Sequence, residues 1–488
     1  MKRLSGLDAT FLYLETPSAP MHVSGVFVAD PSTAPEGFSF DGYRQMVADR
    51  LHLAPPWRRR LVEIPFGLHH PLWIEDPDFD LDFHVRRAAL PPPGGRVELA
   101  QFAAEFHSIP LDRNRPLWQL YVVEGLEGGR VALVSKTHHA AIDGLSGAEI
   151  VVNLLDMSPE VQSHEPTETW RPDRVPTDAE LVAYALRSLA GQPVAAVKAA
   201  QRTFEMALNL RRRNRLPEVE PPPAPFAAPR TSINTPITPH RRFAMADIAL
   251  SEVKKVKNVF RCTVNDVVIA LCAGALRKHF ETHDEVIDTD LVAMVPISVR
   301  TDDDKGAMGN KVSAMLTSLA TTIDDPGERL GAIVAGTRRA KDQEKAIGAD
   351  TLSDWTEFMA PAVAAPAARL YSSMRVADKM RPLFNVVISN VPGPNIPLYT
   401  GGASLEAMYP MGPITDGVGL NITIFSFRGT IHFGVVACRE SVPDVDRMVG
   451  HLQESLDELV KSAEERSGEH PAATKRSSPA GAKARAPA

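Results

Sequence analysis

In the segment KTHHAAIDGLSG, His138 stands beside His139, Asp143 follows four residues after the second histidine, and Gly144 comes next. An imidazole with an ordinary pKa of about 6.5 is largely unprotonated at neutral pH and can accept a proton. As a base it needs a fixed tautomer and orientation. A nearby carboxylate supplies these directly or by locking the surrounding loop. Gly144 lets the backbone turn tightly at that point. A general base is one reading of this stretch. A pair of packed histidines in a structural loop is the other, and the residues alone leave both open.

Competing chemistries find less support. Adjacent residues on a strand point to opposite faces, so His138 and His139 do not readily share one ion. No HExxH motif or cysteine pair lies nearby, and no metal is expected. Gly144-Leu145-Ser146-Gly147-Ala148 misses the GxSxG elbow at its last position and follows the histidines rather than a strand. Neither a Walker A loop nor a GxGxxG motif is present, so nothing cradles a nucleotide phosphate.

The elements around the histidines follow from apolar spacing. Val131 to Val134 reads as a buried strand, and LWQLYVVEGLEGGRVALVSKTHH as two strands broken at Gly128-Gly129. The period turns helical again in LSGAEIVVNLLDM. The double histidine thus lies where a strand passes through a short loop into a helix, a common place for functional side chains. Helical spacing also marks DGYRQMVADRLHL and QFAAEFHSIPLD. Further on, Thr263 to Phe280 is helical, with Thr263 as N-cap and Asp266 completing a near capping box. LVAMVPISVR, NVVISNVPGP and LNITIFSFRGTIHFGVVACR read as strands, the last a hairpin turning at Arg428-Gly429. These patterns divide the chain into a mixed α/β unit over 1–157, a helical and proline-rich linker over 158–242, a second α/β unit over 243–461, and a disordered tail over 462–488.

At 488 residues the chain is too long for one ordinary core, and 44% hydrophobic with 23% charged residues is a globular composition. A net charge of −7 supplies no global basic field to attract nucleic acid. Cys262, Cys272 and Cys438 are widely spaced, which argues for reduced thiols rather than a disulfide framework. Asp8 and Glu15 interrupt the N-terminal apolar stretch, making it a poor signal peptide, and the run from Val267 to Leu276 is too short to span a bilayer. A cytoplasmic location is the expectation. The segment from Leu181 to Arg215 ends in Arg211, Arg212, Arg213 and Arg215. Cations suit a helix C-terminus, and a basic amphipathic segment also suits an anionic membrane surface.

THHAAIDG has the form HHxxxDG, the signature of the coenzyme A-dependent acyltransferase superfamily. More narrowly, the chain resembles the bacterial wax ester synthase/acyl-CoA:diacylglycerol acyltransferase family. The resemblance rests on LSGLDATFLYLETPSAPMHV, RPLW at Arg115 to Trp118, VNDVV at Val264 to Val268, NVPGP at Asn390 to Pro394, and GPITDGVGLNI at Gly412 to Ile422. In the TSINTPITPHRR stretch, Thr235 stands where the family has glycine.

The resemblance implies two chloramphenicol acetyltransferase-like α/β lobes joined by a long crossover, with a tunnel at their interface. It makes His139 the general base for direct transfer of a long-chain acyl group from acyl-CoA, a cosubstrate, to diacylglycerol or a fatty alcohol. No bound cofactor is implied. Asp143 and Gly144 shape the loop, with His138 in support. Asn265 and Asp266 bring a helix start toward the site, where Asn265 is a candidate oxyanion donor. Pro116, Leu117 and Trp118 pack beneath the site, and Asn390, Pro392 and Gly393 brace the two halves. A peripheral membrane or lipid-droplet surface is the implied partner. Two alternatives remain: acylation of another lipid alcohol such as a polyketide-derived diol, and a non-catalytic lipid-binding protein.

Overall fold

The computed structural model describes residues 2–141, 154–164, 170–188, 226–298, 312–347 and 361–468. Two six-stranded sheets carry the chain. In the first, the order is Tyr399–Thr400, Ala403–Met411, His22–Asp30, Val131–His138, Trp118–Glu124, Val85–Ala89. Its neighbours are antiparallel except the last pair. The first half of the Val131–His138 strand, Val131 to Val134, is an unbroken apolar run because both faces are covered. Ala132 and Val134 pack in a cluster with Leu99, Ala100 and Ala103 of the Arg96–Ser108 helix. Leu133 faces Tyr43, Met46 and Val47 of the Phe40–Arg50 helix. The sequence expectations of a Trp118–Glu124/Val131–His138 hairpin and of both helices agree with this arrangement.

The second sheet runs Val312–Ser318, Val292–Ser298, Val386–Pro392, Leu420–Phe427, Thr430–Cys438, Arg241–Ala249. Arg428 at φ 47° and Gly429 at φ 81° make the tight turn between its hairpin strands. Helix Val264–Thr282 lies in the largest core cluster, with residues Val267 to Ala273 and Leu276 almost fully buried. Its start is fixed by a complete capping box: Thr263 Oγ1 accepts from Asp266 N–H, and the Asp266 carboxylate accepts from Thr263 N–H.

The two sheets approach closely. A Cβ at Gly434 would lie 1.8 Å from the Pro410 carbonyl oxygen, so only glycine fits there. The Arg96–Ser108 helix bridges them as well, with Arg96 donating to Met245 O at 3.2 Å and pairing with Asp247 at 2.5 Å.

Two features depart from the sequence reading, and a third adds to it. Ala403–Met411, placed by position within the second unit, adds a strand to the first sheet, paired with His22–Asp30. Its inward Leu405, Met408 and Met411 find their apolar partners there, and alternation alone does not say which sheet a strand joins. The C-terminal helix runs Val445–Gly468, past the expected start of the tail at 462. Ala463 is buried and the Arg466 guanidinium sits 5.0 Å from the Phe260 ring centroid, so the extra turns have a surface to hold. The end of the proline-rich linker is held against the second unit: Asn234 donates to Asn385 O and Gly417 O, and Thr235 Oγ1 lies 2.9 Å from Ser441 Oγ. The expected helix at 145–157 falls mostly outside the described residues, as do Arg211, Arg212, Arg213, Arg215 and the tail beyond 468.

Candidate active site

His138 ends its strand and His139 opens a short 3-10 turn, His139–Ala141. The change of backbone at this point sends the two rings into different surroundings. The His138 N–H donates to Leu117 O at 2.9 Å, and the His139 N–H donates to Met21 O at 3.0 Å. Met21 holds φ at 51°, a left-handed conformation unusual for a residue with a Cβ, and such strain clusters at functional sites. The turn is thus held on one side by the RPLW segment and on the other by PMHV.

The His139 ring is half-buried and stacks on Phe11, with centroids 3.8 Å apart and planes 15° apart. Its Nδ1 is buried without a hydrogen-bond partner among the described residues. Burial, with His138 adding to it, pushes the imidazole down to about 4. At neutral pH the ring is therefore an unprotonated base.

His138 is 2% exposed. Its Nδ1 accepts from Ala140 N–H at 3.1 Å, which places the proton of the neutral ring on Nε2. That Nε2 faces Glu15 Oε2 at 3.5 Å. Burial alone would raise the Glu15 carboxyl, but His138 and Arg113 outweigh it and hold the group below its ordinary value. Arg113 Nη2 donates both to Glu15 at 2.5 Å and to Leu12 O at 2.9 Å. Glu15 caps the C-terminus of the Gly6–Leu14 helix, so this ion pair fixes the helix that carries Phe11.

Behind the histidine strand lies a buried polar row. His22 and His138 meet edge to face at 5.8 Å, and His22 meets His107 at 6.4 Å. Lys136 is fully buried, and its Nζ donates to Phe106 O at 2.9 Å and Ile109 O at 2.7 Å, where the Arg96–Ser108 helix ends. Burial pulls its amine down to about 7.

The other expected site residues fall into two groups. Leu117 packs with Leu4, Ala9, Ala140 and Ala141 beneath the turn, and Pro116 is buried beside it. Trp118 stacks on Trp57 at 4.1 Å and on His84 at 4.6 Å, a prop within the core. Across the sheet pair, Asn390 Nδ2 donates to Asn265 Oδ1 at 3.2 Å, joining the NVPGP strand to the start of the Val264–Thr282 helix. This leaves the Asn265 amide nitrogen as a donor. Asp266 has no such freedom: one carboxylate oxygen caps the helix and the other accepts from Thr337 Oγ1 at 2.7 Å. Pro392 ends its strand at the surface, and Gly393 donates to Ser426 Oγ where a Cβ would lie 2.3 Å from Ser426 O. Asp143 and Gly144 lie outside the described residues.

Phe11, Glu15, Met21 and Lys136 were not singled out by sequence reasoning. They reach the histidines only through tertiary pairing, and the signal that was available is the opening motif LSGLDATFLYLETPSAPMHV as a block.

The family description "wax ester synthase/diacylglycerol acyltransferase catalytic domain" matches residues 4–268, and "WS/DGAT C-terminal domain" matches 308–460. A putative diacylglycerol O-acyltransferase of Mycobacterium tuberculosis is 36% identical over 466 residues, covering 95% of this chain and 91% of that protein. The solved wax ester synthase/diacylglycerol acyltransferase from Marinobacter aquaeolei VT8 superimposes with a TM-score of 0.66 at 32% identity, covering 95% of this chain and 100% of that one. A starter condensation domain of rhizomide synthetase, solved with C8-CoA and Leu-SNAC, shares the fold at a TM-score of 0.54 and 13% identity, over 95% of this chain and 94% of that one.

Proposed function

The chain belongs to the wax ester synthase/diacylglycerol acyltransferase family, and on that premise we propose that it transfers a long-chain acyl group from acyl-CoA to the hydroxyl of diacylglycerol, with His139 as the general base. The observation that carries the proposal is the His139 ring itself. It is unprotonated, it is held flat by Phe11, and its Nδ1 is buried. Nε2 is the nitrogen left to meet a substrate.

In the reaction, Nε2 takes the proton of the acceptor hydroxyl as its oxygen attacks the thioester carbonyl. A tetrahedral oxyanion forms, and the Asn265 amide nitrogen is the donor we assign to it. The C–S bond then breaks, the imidazolium returns its proton to the CoA sulfur, and the products are an ester and free CoA. An acyl-enzyme is not needed. Among the three cysteines, Cys272 and Cys438 are buried, and burial pushes the Cys262 thiol up to about 11, so it stays protonated. Fatty alcohols present the same single hydroxyl on an apolar chain and are the second acceptor class.

The test is a panel assay of labelled palmitoyl-CoA with diacylglycerol and fatty alcohols, measuring ester and free CoA together. His139→Ala should lose about 10²–10⁴-fold in turnover with the fold intact by circular dichroism. A folded variant that keeps more than about a tenth of the rate overturns His139 as the base.

We further propose a lipid-facing surface. Among the described residues no single helix is long and apolar enough to cross a membrane. The Pro361–Ser373 helix and the residues after it expose Leu370, Tyr371, Met374, Met380 and Leu383. Arg369, Lys379 and Arg381 are exposed among them. This helix packs on Gly6–Leu14, the helix that bears Phe11. Apolar side chains interleaved with cations suit an anionic lipid surface, and docking there would deliver lipid beside the catalytic histidine.

A further inference from the structure

Away from the double histidine, the sequence HFETH places His279 and His283 one helical turn apart at the end of the Val264–Thr282 helix. Asp444, immediately before the C-terminal helix, faces them. One ligand atom from each of the three side chains lies within 4.8 Å of the others. His279 is 3% exposed. Asp444 Oδ1 is buried without a hydrogen-bond partner among the described residues.

The His283 tautomer makes this more than a proximity. Its Nδ1 lies 2.8 Å from the His279 carbonyl oxygen, which can only accept. The proton therefore sits on Nδ1, and in the neutral ring Nε2 presents a lone pair. That lone pair faces Asp444 Oδ2 at 3.4 Å. Two lone pairs facing each other call for something positive between them, either a second proton on the ring or a bound cation. A direct charge-assisted hydrogen bond would draw the atoms to about 2.7–2.9 Å. The separation found instead matches the edge of a tetrahedron with metal–ligand bonds of about 2.0–2.1 Å, roughly 3.3–3.4 Å. A ring N–H donated to a backbone carbonyl is also the usual way a metal-binding histidine is held in its tautomer.

We propose that His279, His283 and Asp444 bind one divalent ion of the zinc class, with the fourth position open to solvent. Two imidazoles and a carboxylate favour zinc, cobalt or nickel over magnesium or calcium, which prefer all-oxygen shells. The ion would clamp the end of one core helix to the beginning of the other. It lies at the opposite end of the Val264–Thr282 helix from Asn265, so its part is to hold the second lobe together rather than to take part in transfer.

The experiment uses full-length, tag-free protein stripped with EDTA, then titrated with Zn(II) by calorimetry and with Co(II) as the visible probe. The expected result is one tight equivalent, tetrahedral Co(II) bands, and a rise in melting temperature with Zn(II) on the order of a few degrees. His283→Ala and Asp444→Asn should each weaken binding about tenfold or more and abolish the rise in melting temperature, while untreated acyl transfer is unchanged. His283→Gln keeps a donor for the His279 carbonyl while removing the imidazole, so it should lose the metal and keep the fold. If the wild type binds no equivalent, or if the His283→Ala/Asp444→Asn double variant binds as tightly and melts at the same Zn(II)-raised temperature, the site is overturned.

Discussion

The ring of Phe11 covers one face of the His139 ring, with centroids 3.8 Å apart and planes nearly parallel at 15°. The stack sets the tilt of the imidazole, closes one face to water and would offer an aromatic face to the imidazolium of the proposed transfer. An aromatic contact of this kind is worth about 0.5–1.5 kcal/mol, so Phe11→Leu should lower kcat by roughly 2–10-fold. Steady-state kinetics and a melting curve check this together. A lower melting temperature with kcat unchanged would make the contact packing alone.

The acid limb of the rate profile should be displaced. Because burial pushes His139 down to about 4, kcat/KM should stay flat on going from neutral pH to mildly acid pH and fall only near that value. An unshifted imidazole would keep only about a quarter of its base form at pH 6. A profile already halved near pH 6.5 would mean that the ring is far better hydrated in the free enzyme.

Glu15 links stability to pH in a stated direction. Its folded pKa is depressed below 4.5, so its stabilisation is present above the unfolded value and is lost as pH falls through the folded one. Glu15→Gln should cost about 1–3 kcal/mol at neutral pH, as for a hydrogen bond to a charged group. The gap between wild type and variant should close below about pH 4.5. Denaturant melts across that range measure it, and a gap independent of pH would remove the charge from the explanation. Turnover should fall too, because the carboxylate orients His138 and, through Arg113, the helix bearing Phe11.

Asn265 and Asn390 should behave as a unit. Asn390 holds the Asn265 carbonyl oxygen at 3.2 Å and so points its amide nitrogen. Asn265→Ala should reduce kcat by up to about 10²–10³-fold if that nitrogen meets the oxyanion. Asn390→Ala should cost less, and little more when Asn265 is already gone. A double-mutant cycle with no coupling would separate the two residues.

The docking surface predicts two separable losses. Leu370, Met374 and Met380 changed to Ser should weaken sedimentation with anionic liposomes at every salt concentration. Arg369, Lys379 and Arg381 changed to Gln should each cost up to about 1 kcal/mol, and chiefly at low salt. Both sets should spare short, soluble acceptors. Liposome binding unchanged in both variants would move the lipid surface elsewhere on the molecule.

Local signals carried much of the architecture. The hairpin into His138, the Arg428-Gly429 turn and the Thr263–Asp266 capping box each depend on residues a few positions apart, and each is present. What escaped was non-local. Phe11 and Glu15 look like ordinary residues of an amphipathic opening helix until the sheet brings them to the histidines. His279 and His283 stand at helical spacing in plain view, but their third partner is at Asp444. Nothing in ASLEAMYPM says which sheet it joins, because strand patterning fixes the face of a side chain and not the identity of the neighbour.

That strand has a consequence for how the molecule is made. His22–Asp30 pairs on one side with the strand that ends in His138 and on the other with Ala403–Met411. During synthesis the first partner follows soon, whereas the second leaves the ribosome only after most of the chain. Until then the early sheet has an open edge beside the strand that leads into the His138–His139 turn. Contacts so distant in sequence form slowly, and an unpaired edge is where nascent chains associate wrongly. Cutting the gene between the lobes would not yield two working halves. The amino-terminal piece would lack two strands of its own sheet, Tyr399–Thr400 and Ala403–Met411, and the carboxyl-terminal piece would carry that pair without the His22–Asp30 strand it docks against.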